Sequence, residues 1–242
     1  MRIFKWMLCA LCFFVFDALA QASQQTVELS GEEQQWLERH PSNSGGGSLD
    51  WTPFNFVDDR GQYQGIAKDY LDLVSRYTGI QYTVVTDTWQ NNLARMKKGE
   101  LDVLPAVYKT PERETFLHFS KPYFEALDYF FVHQDVLVSS FKDLDGKSLA
   151  IPKSYAHREL IQQHFPNIII KDTDTFGQAI DMVLEREADL LFDTYGALMY
   201  TLETDGISTI KPFKSTRHLG KNPIHIVTAK NQAILSGIIQ KG

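Results

Sequence analysis

By its pattern of polar and apolar positions, the chain divides into a short apolar head and a long alternating body. Arg2 and Lys5 precede an unbroken apolar run of eleven residues, Trp6 to Phe16. Asp17, Ala18, Leu19 and Ala20 follow, with small residues in the cleavage positions before Gln21. This is the three-part pattern of a secretory signal peptide over residues 1–20, and the run is far short of the ~20 residues that span a bilayer. Segment 21–49 comes next. Within it Ser30 and Glu33 have capping-box spacing, which predicts a short helix through Trp36 and Leu37 to about His40, stopped by Pro41. Ser42 to Ser48 (SNSGGGS) is polar and glycine-rich, and reads as a flexible linker.

From Trp51 onward, strand and helix periods alternate. Ile66 to Tyr77 is an amphipathic helix closed by Gly79, Gln81 to Val85 a strand, Trp89 to Lys98 a helix, and Leu101 to Val107 a strand. The pattern repeats with strands at 129–132, 149–152, 168–171 and 190–193, and helices at about 156–164, 176–186 and 196–204. Ile224 to Thr228 predicts a return strand before a last helix at 232–241. Such alternation predicts an α/β fold with largely parallel sheets. Two blocks are expected: lobe 1 over 50–132 and lobe 2 over 133–225. A hinge is expected near 133–136, and residues 226–242 return to lobe 1. A cleft between lobes is the default place for a small ligand.

Composition narrows the function. The chain has 242 residues, 43% of them hydrophobic, and a formal charge of −6. That is ordinary for a globular protein, and it excludes nucleic acid as a partner, which needs a basic footprint. Both cysteines, Cys9 and Cys12, fall in the head, so the processed chain is expected to lack thiols and disulfides. The seven histidines are scattered without ligand spacing, so no metal is expected. No phosphate loop, dinucleotide fingerprint, nucleophile elbow or zinc-protease motif occurs, and no cofactor is expected. After the head no apolar run approaches membrane length, so the processed protein is expected to be soluble in the periplasm.

Several motifs follow in a fixed order: Asp50-Trp51-Thr52-Pro53-Phe54, Gly99-Glu100-Leu101-Asp102, Thr110-Pro111-Glu112-Arg113 and Phe119-Ser120-Lys121-Pro122-Tyr123. Asp143 to Lys147 and Ala188 to Thr194 continue the series. In this order they resemble the family 3, amino-acid-type, bacterial extracellular solute-binding proteins over about residues 28–242. They are most similar to the Venus-flytrap sensor domains of membrane-bound histidine kinases and diguanylate cyclases, whose helix ends as Trp36 to Pro41 does. The resemblance implies a two-lobed, type II periplasmic-binding-protein-like fold with a ligand cleft.

It also implies roles. The arginine matching Arg113 holds the α-carboxylate of an amino acid, and the aspartate matching Asp193 takes its ammonium group. The residues alone allow more than this. Thr110 can cap and Pro111 can open a turn that points Arg113 into the cleft, but Arg113 can equally pair with Glu112 or Glu114. Asp193, at the end of a buried strand, suits a cationic ligand group or a local ion pair. Trp51, Phe54 and Tyr108 read as aromatic walls or as core. Ser154 and Tyr155 open a helix whose backbone N–H groups suit a carboxylate, or Ser154 simply caps it.

The expected function is non-catalytic binding of a small amino-acid-like carboxylate, with a membrane receptor or a transporter component as partner. An enzyme on the same fold, resembling cyclohexadienyl dehydratase, would need Glu125 or Asp193 as its acid. A relic that has lost binding is the third reading. Family members carry a hydrophobic strand where this chain has Ser42 to Leu49. An alternating Val/Ile pattern over Ser44 to Gly47 is therefore expected to raise stability.

Overall fold

The computed structural model describes residues 27–242, so the expected signal peptide and both cysteines lie outside the described residues. Helix α1 (Gly31–Arg39) starts in the expected capping box. Ser30 accepts the Glu33 N–H, and the Glu33 carboxylate accepts the Ser30 N–H at 2.7 Å. Trp36 is the buried side chain of α1 and stacks on His40.

The linker reading of Ser42 to Ser48 is wrong. Asn43–Gly47 is strand β1, paired in parallel with β5 (Tyr82–Thr86) on one side and with β6 (Val103–Tyr108) on the other. Gly45, Gly46 and Gly47 are all buried. A Cβ on Gly46 would stand 2.6 Å from Leu104 Cδ2, and one on Gly47 2.7 Å from the Tyr63 ring. Neighbouring side chains therefore lie flat against the backbone, and β1 is a strand whose core is supplied by its neighbours. Composition alone cannot distinguish that from a solvated loop.

The first sheet runs β5-β1-β6-β14-β7, with β14 at Asn222–Ala229 and β7 at Leu117–Phe119, while β8 (Phe124–Ala126) pairs with the start of β14. Helices α2 (Ile66–Thr78) and α8 (Ala233–Lys241) cover one face through Leu71, Val74, Leu235 and Ile238. Helix α3 (Trp89–Lys97) covers the other through Leu93 and Met96. Gly79 ends α2 in the left-handed region with φ 81°, as its sequence position predicts. A small antiparallel sheet of β2 (Asp50–Trp51), β3 (Asn55–Val57) and β4 (Tyr63–Gln64) carries Trp51 toward the second lobe.

The second sheet runs β11 (Ile169–Thr173), β10 (Ser148–Pro152), β12 (Leu190–Thr194), β9 (Asp128–His133) and β13 (Ile210–Ser215). Helices α5 (His157–His164), α6 (Phe176–Leu184) and α7 (Tyr195–Thr204) complete this lobe. Only the strands joined by helical crossovers are parallel. β9, β13 and β14 are antiparallel to their neighbours, so both sheets are mixed rather than largely parallel.

Topology also moves the hinge. β9 already belongs to the second sheet, so the chain crosses between lobes at Leu127 and returns between β13 and β14, not at 133–136. Residues 128–132 thus belong to lobe 2, and the return strand joins lobe 1 from Asn222 onward. The apolar run at 129–132 announces a strand but does not say which sheet it joins. One continuous core crosses the seam, with Trp51, Phe54 and Ala106 of lobe 1 against Phe131, Phe176 and Leu198 of lobe 2.

Candidate functional site

The cleft is built where β6 of lobe 1 ends opposite the loop that follows β10 of lobe 2. Helix α4 (Pro111–Glu114) begins directly after β6, with Pro111 in its first turn and Thr110 Oγ1 accepting the Arg113 N–H at 3.3 Å. Thr110 is therefore the cap that aims Arg113, and it does not line the central cavity. Arg113 itself is 4% exposed. Its two candidate local partners are engaged elsewhere: Glu112 pairs with Lys97 at 2.5 Å and Glu114 with Lys109 at 2.6 Å. The guanidinium instead donates from Nη1 to the Tyr108 carbonyl at 2.7 Å and from Nη2 to the Ser154 carbonyl at 2.8 Å. It lies 5.0 Å over the Trp89 ring. Burial lowers its pKa to about 10, still fully charged at neutral pH.

Ser154 meets this cation with its backbone. Its φ of 63° is uncommon for a residue with a side chain, and its carbonyl receives Trp89 Nε1–H at 2.9 Å as well as Arg113. Ser154 does not cap α5, which starts after Ala156 with no side-chain cap. The helix N–H groups expected to face a ligand thus belong to Ala156 and His157. Both residues line the cavity, with Tyr155, Tyr108, Trp51 and Arg113. The cavity measures about 30 Å³, the space of one or two waters.

On the far wall, Trp51 Nε1–H crosses the seam to Asp193 Oδ1 at 3.0 Å, and the Thr194 N–H reaches the same oxygen at 2.6 Å. Asp193 Oδ2 is buried without a partner. Tyr108 and Thr194 hydroxyls both approach Asp128 Oδ1 at 3.2 Å. Asp128 Oδ2 takes the Asn222 amide at 2.5 Å and faces His157 Nε2 at 3.1 Å. Its backbone carbonyl accepts the Thr216 N–H at 3.0 Å. One carboxylate thereby ties both lobe crossovers together.

Of the residues singled out from sequence, Trp51, Tyr108, Arg113, Ser154, Tyr155 and Asp193 converge on the seam. Phe54 does not line the cavity: it stacks on Trp51 at 4.9 Å and packs at a tilt against Phe124 within the core. Its position is that of its alternative reading as core. Glu125 lies outside the cavity, half exposed and paired with Lys221 at 2.9 Å. Sequence reasoning missed Trp89, Asp128 and His157. Their partners are distant along the chain, so no local spacing marks them. Position did offer one signal, since His157 opens the helix after Ser154-Tyr155.

The buried charges shift one another. Burial is the largest influence on Asp193 and raises its pKa from 3.8 to about 6, with Asp128 pushing the same way. Burial would also raise Asp128, but His157 and the hydroxyls bring it below its ordinary value. Burial would lower His157, and the charge of Asp128 outweighs it, leaving the imidazole above 6.5. Between about pH 4 and pH 6 the folded chain holds a proton on Asp193 that the unfolded chain has released. Stability from this group is therefore greatest below pH 4 and is lost as pH rises to about 6. Asp193→Asn should remove that fall, on the order of 3 kcal/mol at most, from a series of urea midpoints at pH 4 to 7. Parent and variant curves that stay parallel would show that Asp193 titrates normally.

Among the described residues no helix is long and apolar enough to cross a membrane, and no group of three or more metal-ligating side chains occurs. Residues 46–234 match the family model of the bacterial extracellular solute-binding proteins, family 3. The virulence sensor protein BvgS of Bordetella bronchiseptica is 27% identical over 214 residues, 88% of this chain, and the chain spans only 17% of that protein's length. A crystal structure of the BvgS VFT2 domain from Bordetella pertussis superposes with a TM-score of 0.79 at 26% identity, covering 89% of this chain and 92% of that one. An ancestral arginine-binding protein bound to arginine shares the fold, with a TM-score of 0.74 at 21% identity, over 83% of this chain and 89% of that one.

Proposed function

The chain belongs to the family 3 bacterial extracellular solute-binding proteins, and from that premise we propose that it binds a small carboxylate, an amino acid or close relative, between its lobes. The binding is non-catalytic, takes place in the periplasm, and serves a signalling receptor in the membrane. The observation that carries this reading is Arg113. It is a fully charged guanidinium, buried at the seam, which donates to backbone carbonyls of both lobes and forms no ion pair among the described residues. A buried cation held only by carbonyls is better matched by a carboxylate, which takes two parallel N–H bonds in place of one. The free N–H groups at the start of α5 support the same anionic end. Lobes joined at two crossovers suit hinge closure around such a ligand. The BvgS likeness supports a receptor rather than a transport carrier, because BvgS is named as a sensor.

A thermal-shift screen of the purified chain against amino acids, hydroxy acids and dicarboxylates tests the reading. At least one small carboxylate should raise the unfolding midpoint in a concentration-dependent way, as binding to the folded state alone requires. Stabilisation only by uncharged or cationic solutes would refute it. Turnover of the stabilising compound, followed by product analysis, would favour the enzyme reading instead, with Asp193 as its acid.

A further inference from the structure

The cavity beside Arg113 is too small for a whole ligand. At about 30 Å³ it takes one or two waters, whereas sites for small molecules measure roughly 300–1,000 Å³. A second cavity, of about 250 Å³, shares a wall with it. Tyr108, Ala156 and His157 line both spaces. Tyr108 ends β6 of lobe 1 and His157 opens α5 of lobe 2, and their rings meet edge-on with centroids 4.8 Å apart. The partition is thus a contact between lobes, and it opens when the lobes part.

We infer that the two spaces form one ligand site, with the carboxylate at Arg113 and a long side chain that passes between Tyr108 and His157 and ends in an uncharged hydrogen-bonding group. This rests on the proposed reading of Arg113 as the carboxylate's partner. The walls of the second cavity come from three places in the chain: Thr110 at the cap of α4, one face of α5 through Gln163, and the second lobe crossover through Lys221 and Asn222. Thr110, which does not reach the central cavity, thus belongs to the site at this end. The charges of these walls are already matched. Lys109 pairs with Glu114 at 2.6 Å and Lys221 with Glu125 at 2.9 Å. Glu159, the carboxylate that lines this cavity, lies within the field of Arg113. What the walls offer a ligand is therefore amides. Asn222 gives its N–H to Asp128 and leaves Oδ1 to accept, while Gln163 carries both a donor and an acceptor. A group that both donates and accepts suits them, and an apolar end would strip their water without replacing its hydrogen bonds.

L-glutamine, L-norleucine and L-alanine share one head group and differ in what they place beyond the partition. Calorimetric titration of the parent chain is expected to show glutamine about tenfold tighter than either of the others, the worth of one or two added hydrogen bonds. Gln163→Trp fills the second cavity from an exposed position on α5, where the fold is not at stake. By steric exclusion it should weaken glutamine about tenfold or more and leave alanine nearly unchanged. Alanine or norleucine binding the parent as tightly as glutamine would overturn the polar second compartment while leaving the carboxylate site intact, and this comparison needs no variant. Parent affinity for glutamine in Gln163→Trp would also overturn it, since the side chain would then lie elsewhere. Binding of none of the three would overturn this inference, and the carboxylate reading would fall with it only if the wider thermal-shift screen were empty too. Glutamine binding that is indifferent to Arg113→Ala would overturn both readings together.

Discussion

Arg113→Ala is expected to weaken binding of a small carboxylate by about 2–5 kcal/mol, because the ligand's charge would be buried without a partner. That is roughly thirtyfold to several thousandfold in Kd. The lower part of the range is favoured by the structure. A ligand carboxylate must displace the Ser154 carbonyl from Nη2, so part of what it gains replaces a bond already made. The displaced carbonyl still keeps Trp89 Nε1–H, which limits the penalty for displacing it. Arg113→Lys should recover only part of the loss, since an ammonium cannot present two parallel donors. The unliganded fold should also weaken, by about 1–3 kcal/mol, because the Tyr108 carbonyl loses its guanidinium donor inside the seam. This differs from what a solvated arginine would give. Titration calorimetry and urea unfolding of the three proteins separate the two effects. Equal affinity in Arg113→Ala would leave the cation a purely structural clasp.

The elements of this fold were legible wherever a side-chain period or a terminator was present. Ile66 to Thr78 shows a helical face and ends on Gly79, and Pro111 and Thr110 mark the short turn that aims Arg113. Long-range pairing was not legible. Tyr129 to Val132 reads as a strand from its own residues, yet its membership of the second sheet depends on pairing with β12 and β13. The site shows the same division. Arg113 and Asp193 stand in motifs that can be read locally. Asp128 and His157 acquire meaning only from each other, and 29 positions separate them along the chain. Phe54 sits beside Trp51 in one motif, but the turn between them sends it into the core.

The glycine strand carries the largest reversal, and it sets the sign of the stability prediction. Introducing Gly46→Val and Gly47→Val together is expected to destabilise the chain by roughly 2–6 kcal/mol, the sum of two overpacked core positions. Intrinsic strand preference would favour valine by no more than ~1 kcal/mol per site, so packing wins. At Gly46 the added Cβ meets Leu104 at 2.6 Å and Leu101 at 2.8 Å, both almost fully buried and without room to swing aside. Asn92, whose amide donates to the Gly47 carbonyl at 2.8 Å, stands behind them at 3.1 Å. At Gly47 the Cβ meets two carbons of the rigid Tyr63 ring at 2.7 and 2.8 Å and a Val84 methyl at 3.0 Å. Neither glycine has a positive φ, so backbone strain does not enter and the penalty is steric. Gly45 provides the control, since its Cβ would come no closer to any neighbour than 3.3 Å, at a Val84 methyl. Gly45→Ala should change stability by less than ~1 kcal/mol. Urea midpoints of the three proteins decide the matter, and a double valine variant as stable as the parent would mean that β1 is not held in this register. Ligand binding should fall along with stability in the double variant. β1 leads directly into Ser48 and Trp51, which form the lobe 1 wall of the cavity, so a strand forced away from its neighbours takes that wall with it.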